Sequence, residues 1–77
     1  MQTTNAITKL TKAGFQVTNS GNRYQAIANC QVISFFDQSG DITCINVRSA
    51  NDCSDSRQDY SAGVFCNNLS QAIKLAH

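Results

Sequence analysis

The residues best suited to chemistry are three aspartates in the most polar stretch of the chain, Asp52, Asp55 and Asp59. If this stretch were helical, their spacings of three and four residues would place all three carboxylates on one face, where they could hold a divalent cation. If it is a loop, the same residues form a solvated acidic rim. The spacing lacks the alternating ligands and the sixth-position glycine of a calcium loop, so we predict the rim and no metal site.

Catalysis would need a nucleophile, an acid or a base that neighbouring groups hold in a pocket, and the chain offers few candidates. The sole histidine is His77, the last residue of the sequence, where fraying is expected. A Cys–His or Ser–His pair is therefore not expected. We predict that the protein is not an enzyme and that it uses no cofactor.

The four cysteines are spread along the chain without a close pair; they are Cys30, Cys44, Cys53 and Cys66. A zinc site needs ligand pairs that a single turn can direct at one ion. A disulfide framework would be expected in a secreted protein, and nothing in the sequence marks secretion. We therefore predict free thiols, with Cys44 slow to react in a strand and Cys53 fast in the polar stretch.

Charge and hydrophobicity limit the partners of this 77-residue chain. A net charge of +1 is too small for a phosphate-tracking surface and too positive for a nucleic-acid mimic. Arg23 and Tyr24 beside a turn are a weak version of the basic and aromatic pattern of nucleic-acid binders, so nucleic-acid association is our alternative interpretation. No apolar run approaches the ~20 residues of a membrane span, and the first residues lack signal-peptide features. We expect a cytoplasmic protein without membrane association.

Two amphipathic stretches predict a helix near each end of the chain. The first, over residues 4–13, has apolar residues at helical spacing and is followed by Gly14, a left-handed stop. The second, over residues 69–76, begins with Asn68 and Gln71 in a capping-box-like arrangement. Both helices are short, so each must pack its apolar stripe against another element.

Between the helices the apolar period changes to two, which indicates strands separated by turn residues. The predicted strands cover residues 15–17, 23–28, 31–36 and 42–47, and residues 62–66 are either a further short strand or a tether. The sequence therefore predicts one α+β domain over residues 1–77, in which an antiparallel three- to four-stranded sheet is flanked by an N-terminal and a C-terminal helix in αβββα-like order.

The central hairpin is predicted to turn at residues 37–41. Aligning its strands about that loop puts Ile33 opposite Ile45 and Phe36 opposite Ile42. One face then presents Ile33, Phe35, Ile45 and Val47, and the other presents Val32, Phe36, Ile42 and Cys44. If both helices cover the first face, the second is an apolar patch that a second copy of the chain or another protein would cover.

Residues 48–61 are predicted to form a long polar loop, since they show no apolar period. Tyr60 stands at its end, and an aromatic beside a polar loop is the type of residue that anchors interfaces. We therefore predict a partner-binding surface that combines the loop with the apolar patch. Its residues are Asp52, Asp55, Arg57, Asp59, Tyr60, Phe36 and Ile42.

Four segments cover most of the chain and carry a likeness: AGFQV (13–17), TCINVR (43–48), DSRQDYSAGVF (55–65) and NLSQAIK (68–74). In these segments and in layout the chain resembles a loose group of small, uncharacterised phage-encoded proteins. The resemblance implies a phage origin and a role as a host-takeover factor or as an inhibitor of host defence, as anti-CRISPR proteins are. It implies no catalytic residues. The predicted function is a small non-enzymatic module that binds a protein.

Overall fold

The computed structural model describes residues 1–28, 30–49 and 63–76. Its elements are α1 (Thr3–Lys12), β1 (Gln16–Ser20), β2 (Arg23–Ala28), β3 (Gln31–Gln38), β4 (Asp41–Ser49), β5 (Val64–Phe65) and α2 (Leu69–Leu75). The strands form one antiparallel sheet in the order β1-β2-β3-β4-β5. The predicted α+β class with a helix at each end is confirmed. The sheet has five strands rather than three or four, because residues 64–65, in the stretch expected to be a short strand or a tether, pair with β4 as β5.

Helix α1 begins on the turn that joins β3 to β4. The Ile42 amide donates to the Met1 carbonyl oxygen over 3.0 Å, and the Thr3 amide donates to the Gly40 carbonyl oxygen over 2.8 Å. The Thr3 hydroxyl donates to Asp37 Oδ1 over 2.5 Å. Gly14, at φ +94°, ends the helical segment as predicted. These contacts to the sheet thus supply the stability that a helix of this length lacks in isolation.

Helix α2 begins with the predicted pair of polar residues. Asn68 Oδ1 accepts from the Gln71 amide over 2.8 Å, which satisfies one of the free N–H groups of the first turn. Gln71 Oε1 in turn accepts from the Asn67 amide over 3.0 Å. The reciprocal return bond goes to Asn67 rather than to Asn68, one residue earlier than in the standard capping box.

Both helices pack on the same face of the sheet. Together they contribute Ala6, Leu10, Leu69, Ala72 and Ala76 to a buried cluster with Phe15, Ala26, Ile33, Phe35, Ile45 and Val47 of the sheet side. The predicted core set of β3 and β4 is therefore confirmed. Phe35 also stacks on Tyr24, with ring centroids 5.4 Å apart and planes 2° from parallel.

The predicted register of the β3–β4 hairpin is wrong. The chain turns in two residues, Ser39 at φ 54° and Gly40 at φ 91°, between paired Gln38 and Asp41. Ile33 faces Val47 rather than Ile45, and Phe36 faces Thr43 rather than Ile42.

A β-bulge separates the two halves of this hairpin. Pairing runs from Ser34 and Asn46 directly to Phe36 and Thr43, so β4 carries one extra residue between them. Cys44, at φ 56°, occupies the left-handed position of the bulge. Because of the extra residue, the side chains of β4 that precede the bulge point to the opposite face from the one that simple alternation predicts. Ile42 is therefore paired with Asp37 and packs against the helix-side core. The predicted apolar patch of Phe36 with Ile42 does not form.

The prediction of free thiols throughout is also wrong. Cys30, in the turn between β2 and β3, is disulfide-bonded. Cys44 and Cys66 are free. Cys44 is exposed, because the bulge turns it out of the strand, so the expectation of a slow thiol there does not hold. Cys53 lies outside the described residues.

Candidate functional site

The face of the sheet opposite the two helices, here called the helix-free face, carries unusual buried polar groups. Directly paired residues share a face, which places three rows of side chains on it. The rows are Arg23–Phe36–Thr43, Gln25–Ser34–Asn46–Phe65 and Ile27–Val32–Arg48. Alternation along β3 produces this division, since Ile33 and Phe35 point to the helices and their neighbours point away.

The middle of the helix-free face is buried even though both helices lie on the other side. Val32 and Asn46 are 0% exposed, and Ser34 and Arg48 are also buried. Gly63, just before β5, lies against Asn46: a Cβ atom built on Gly63 would be 2.1 Å from Asn46 Oδ1. Only glycine fits this contact, and the close approach brings the chain over the middle row.

Asn46 and Arg48 are buried without the partners that such groups normally have. Neither Asn46 Nδ2 nor Oδ1 has a hydrogen-bond partner in the described structure, and the same holds for Nε and Nη2 of Arg48. Most buried polar groups in proteins are hydrogen-bonded, since an unpaired one costs about 1 to 3 kcal/mol and a charge costs more. These two side chains are therefore the groups in the described chain most in need of a ligand.

A third feature of this face is a cation–π contact. The Arg23 guanidinium carbon lies 5.6 Å from the centroid of the Phe36 ring. Phe36, a predicted contact residue, is half-buried beneath an exposed arginine. Ile42, predicted to lie beside it, is on the helix side. The predicted contacts Asp52, Asp55, Arg57, Asp59 and Tyr60 lie outside the described residues.

The short edge strand β5 presents apolar side chains to solvent. Val64 is 60% exposed and Phe65 is 63% exposed. The strand pairs with β4 through Asn46 and Val47, and the Cys66 amide donates to the Ile45 carbonyl oxygen over 2.9 Å. Phe65 is thus the last residue, at the sheet edge, of the row that contains Asn46. The exposed edge of the sheet therefore directly adjoins the buried polar groups of the helix-free face.

A groove of about 550 Å³ lies between α1 and the edge strand β1. Its lining is uncharged and includes Ile7, Thr11, Phe15, Val17 and Tyr24. It contains neither a carboxylate nor an amine that could serve as a general acid or base at neutral pH.

Two further observations concern reactive groups within residues 1–28, 30–49 and 63–76. No three histidine, cysteine or acidic side chains in these ranges lie close enough together to hold a metal ion. Burial raises the pKa of the Cys66 thiol above its usual value. Cys66 is therefore mostly protonated at neutral pH and is a poor nucleophile.

No protein-family model, no curated protein and no solved structure matches this chain. Neither described helix has the length and apolar character required to cross a bilayer.

Reasoning from the sequence did not find Asn46 and Arg48. A signal was present, because Asn46 interrupts an otherwise apolar stretch of β4 and a polar residue there must either face solvent or find a partner. Whether it faces solvent depends on what lies above the strand, which the local sequence does not specify.

Proposed function

We propose that the protein is a small non-enzymatic module that binds another protein. The observation that carries the proposal is the pair of exposed apolar side chains, Val64 and Phe65, on an edge strand. Edge strands expose unpaired backbone groups, and proteins usually protect them with charges, proline or bulges. β5 itself has none of these features. A partner that covers this edge would bury both side chains and gain backbone hydrogen bonds.

The role that we propose for this binding is regulation or inhibition of a host protein complex by a phage-type protein, in host takeover or against a defence such as CRISPR. The support for it is the resemblance of the four segments to small phage proteins. The same proposal places the protein in the cytoplasm of the host cell. The disulfide at Cys30 weighs against a strongly reducing compartment, where such bonds rarely persist.

Affinity capture with matched variants tests the proposed contact. We expect wild-type protein to retain a partner from host lysate that Val64→Ser and Phe65→Ser lose. Leu75→Ser is the control, because Leu75 is comparably exposed, at 53%, but belongs to α2 and not to β5. A partner retained equally by wild type and by both β5 variants would refute a contact at this edge, provided circular dichroism shows that all variants fold.

A second copy of the chain is one partner that the β5 edge could accept, because two antiparallel edges can pair with each other. Light scattering across a concentration series would show a dimer that Phe65→Ser dissociates. A wild-type monomer at high concentration would remove the homodimer and leave a different protein as the partner.

Nucleic-acid binding remains the second candidate, and the Arg23–Phe36 contact with exposed Phe65 on the same face favours it. Single-stranded nucleic acids bind sheets through such combinations of aromatic and basic side chains. A salt series separates the candidates: phosphate contacts give a steep fall of affinity with salt, whereas a largely apolar protein interface does not. Absence of any binding to single-stranded DNA or RNA at low salt would eliminate this candidate.

A further inference from the structure

The edge strand β1 has backbone groups that its one neighbouring strand does not use. β1 is the first strand of the sheet order and pairs with β2, and Ser20 and Arg23 close a two-residue turn between them. In such a hairpin the closing residues bond to each other, and bonded pairs then alternate with non-bonded pairs along the strands. The backbone N–H and C=O groups of Val17 and Asn19 therefore point away from β2.

The hydrogen bonds between β2 and β3 agree with this assignment. The Asp37 amide donates to the Asn22 carbonyl oxygen over 2.7 Å, so the bonded pairs between β2 and β3 continue at Tyr24 and Ala26. These two residues direct their backbone groups at β3, and their partners in β1 are the two residues with outward groups. The outward groups of β1 are thus two residues apart, as the pairing of an added strand requires.

The groove between α1 and β1 opens onto this same edge. Consecutive residues of β1, 16–19, line it. Neighbouring side chains of a strand point to opposite faces, so a groove lined by all of them includes the outer edge of the strand itself. On the helix side its wall contains Ile7, Phe15 and Tyr24. A strand laid along β1 would place every second side chain, those opposite the two outward-facing residues, against this wall.

The part of the molecule around this edge is positively charged. α1, β1 and β2 contain Lys9, Lys12 and Arg23 and no acidic residue, whereas the described acids belong to β3 and β4. Lys12 is exposed and lies in the chain between Thr11 and Gly14, which both line the groove. The uncharged groove thus favours apolar side chains, and the charge beside it favours acidic ones.

We propose that the β1 edge binds an extended, acidic segment of another protein as a sixth strand, antiparallel like the other pairs of the sheet. The backbone of the segment bonds to Val17 and Asn19, its alternate apolar side chains fill the groove, and an acidic residue near its end lies beside Lys12. The site does not depend on a contact at β5, which is the opposite edge of the sheet. A second copy of the chain fits less well, because two β1 edges would bring the cations of both copies together.

A peptide titration followed in ¹H–¹⁵N spectra of the wild-type protein tests this site. The probe is the synthetic peptide acetyl-DDTVTVTDD-amide, in which valines alternate with threonines between acidic ends. We expect saturable shifts of the Val17, Asn19 and Thr11 signals. With the peptide at about ten times its Kd, the Val17 and Asn19 amides should exchange with water about tenfold more slowly. The Thr18 amide already bonds to β2, so it is the internal control and exchanges slowly with and without peptide.

Altered peptides separate the backbone contribution from the charge contribution. N-methylation of the two valines should abolish binding, because these residues pair with the outward groups of β1, whereas N-methylation of the central threonine should leave binding intact. Acetyl-KKTVTVTKK-amide should not bind, since its ends repel the cations beside the groove. In the protein, Lys12→Gln should weaken binding of the acidic peptide about two- to fivefold. Lys74→Gln is the matched control, because it removes the same charge from an exposed position on α2.

Four results would overturn the proposed site. The first is the absence of saturable shifts with the acidic peptide, and the second is equal binding of the lysine-ended or valine-methylated peptide. The third is a set of shifts confined to Val64 and Phe65, which would place the peptide on β5 and support only the contact proposed there. The last is a change of the Val17 and Asn19 signals when the protein alone is concentrated, since a second copy would then occupy the edge.

Discussion

The two faces of the sheet differ in the kind of side chain that they bury and in whether the buried groups have partners. On the helix side, Ile33 and Phe35 contact residues of the same apolar kind, and the buried cluster needs no further partner. On the helix-free side, Asn46 and Arg48 are equally buried but have polar atoms with no partner among the described residues. Burial of apolar groups stabilises a fold by itself, whereas burial of unpaired polar groups must be justified by something else. The helix side therefore accounts for much of the stability of the fold, and the helix-free side is the face on which a ligand would satisfy buried groups.

The largest expected effect is on the free energy of unfolding, and it is tested by replacing two neighbouring phenylalanines that lie on opposite faces of the sheet. Phe35→Ala should lower the free energy of unfolding by about 3 to 5 kcal/mol, because it removes a fully buried ring and its stack on Tyr24. A small domain with about 5 kcal/mol of total stability would be close to unfolding. Phe36→Ala, at the half-buried neighbour, should cost only about 1 to 2 kcal/mol. Urea unfolding of both variants tests the comparison, and equal losses would contradict it.

Reduction of the Cys30 disulfide should come next, with a loss of about 2 to 4 kcal/mol in the free energy of unfolding. Cys30 comes directly before β3, whose first residues pair with the end of β4 that carries Arg48. The disulfide is therefore close to the buried polar groups of the helix-free face. Thiol labelling of the denatured, unreduced protein, followed by peptide mapping, should find Cys44 and Cys66 free and Cys30 blocked. Four thiols without reductant would show that the bond does not form.

A double-mutant cycle at Gly63 and Asn46 sharpens the description of the helix-free face. Gly63→Ala should cost about 1 to 3 kcal/mol, because the added methyl group would overlap the Asn46 side chain. In an Asn46→Ala background the same change should cost much less, since the obstructing amide is gone. Gly63 is not at a positive φ, so the loss reports the contact with Asn46 rather than left-handed backbone strain. Additive losses in the cycle would mean that the two residues do not touch.

The smallest expected effect concerns the bulge that separates the halves of β4. Cys44→Gly should change the free energy of unfolding by less than about 1 kcal/mol, because relief of the left-handed backbone offsets the flexibility that glycine adds. Cys44→Val should cost about 1 to 2 kcal/mol, since a β-branched residue fits φ 56° poorly. Thermal unfolding of the two variants measures the difference. Equal stability of both would argue against a left-handed bulge at this position.

The local parts of the fold were predictable from the sequence. Gly14 ended the first helix, Asn68 and Gln71 began the second, and the period of two marked β2, β3 and most of β4. The residues of the helix-side core were predictable too, because a strand with one buried face shows that face in its alternation. Each of these features depends on residues only a few positions apart.

The features that decide the candidate site were not predictable in this way. Ser39 adopts a positive φ without being glycine, and Cys44 does the same in the bulge, so nothing local announced a two-residue turn or an extra residue in β4. That single residue moved Ile42 to the helix side. The burial of Asn46 and Arg48, the pairing of β5 and the disulfide at Cys30 also depend on segments distant in sequence. The sequence by itself determined the elements and one apolar core, whereas only the tertiary structure decided the register and what lies over each face, because both arise from long-range pairing.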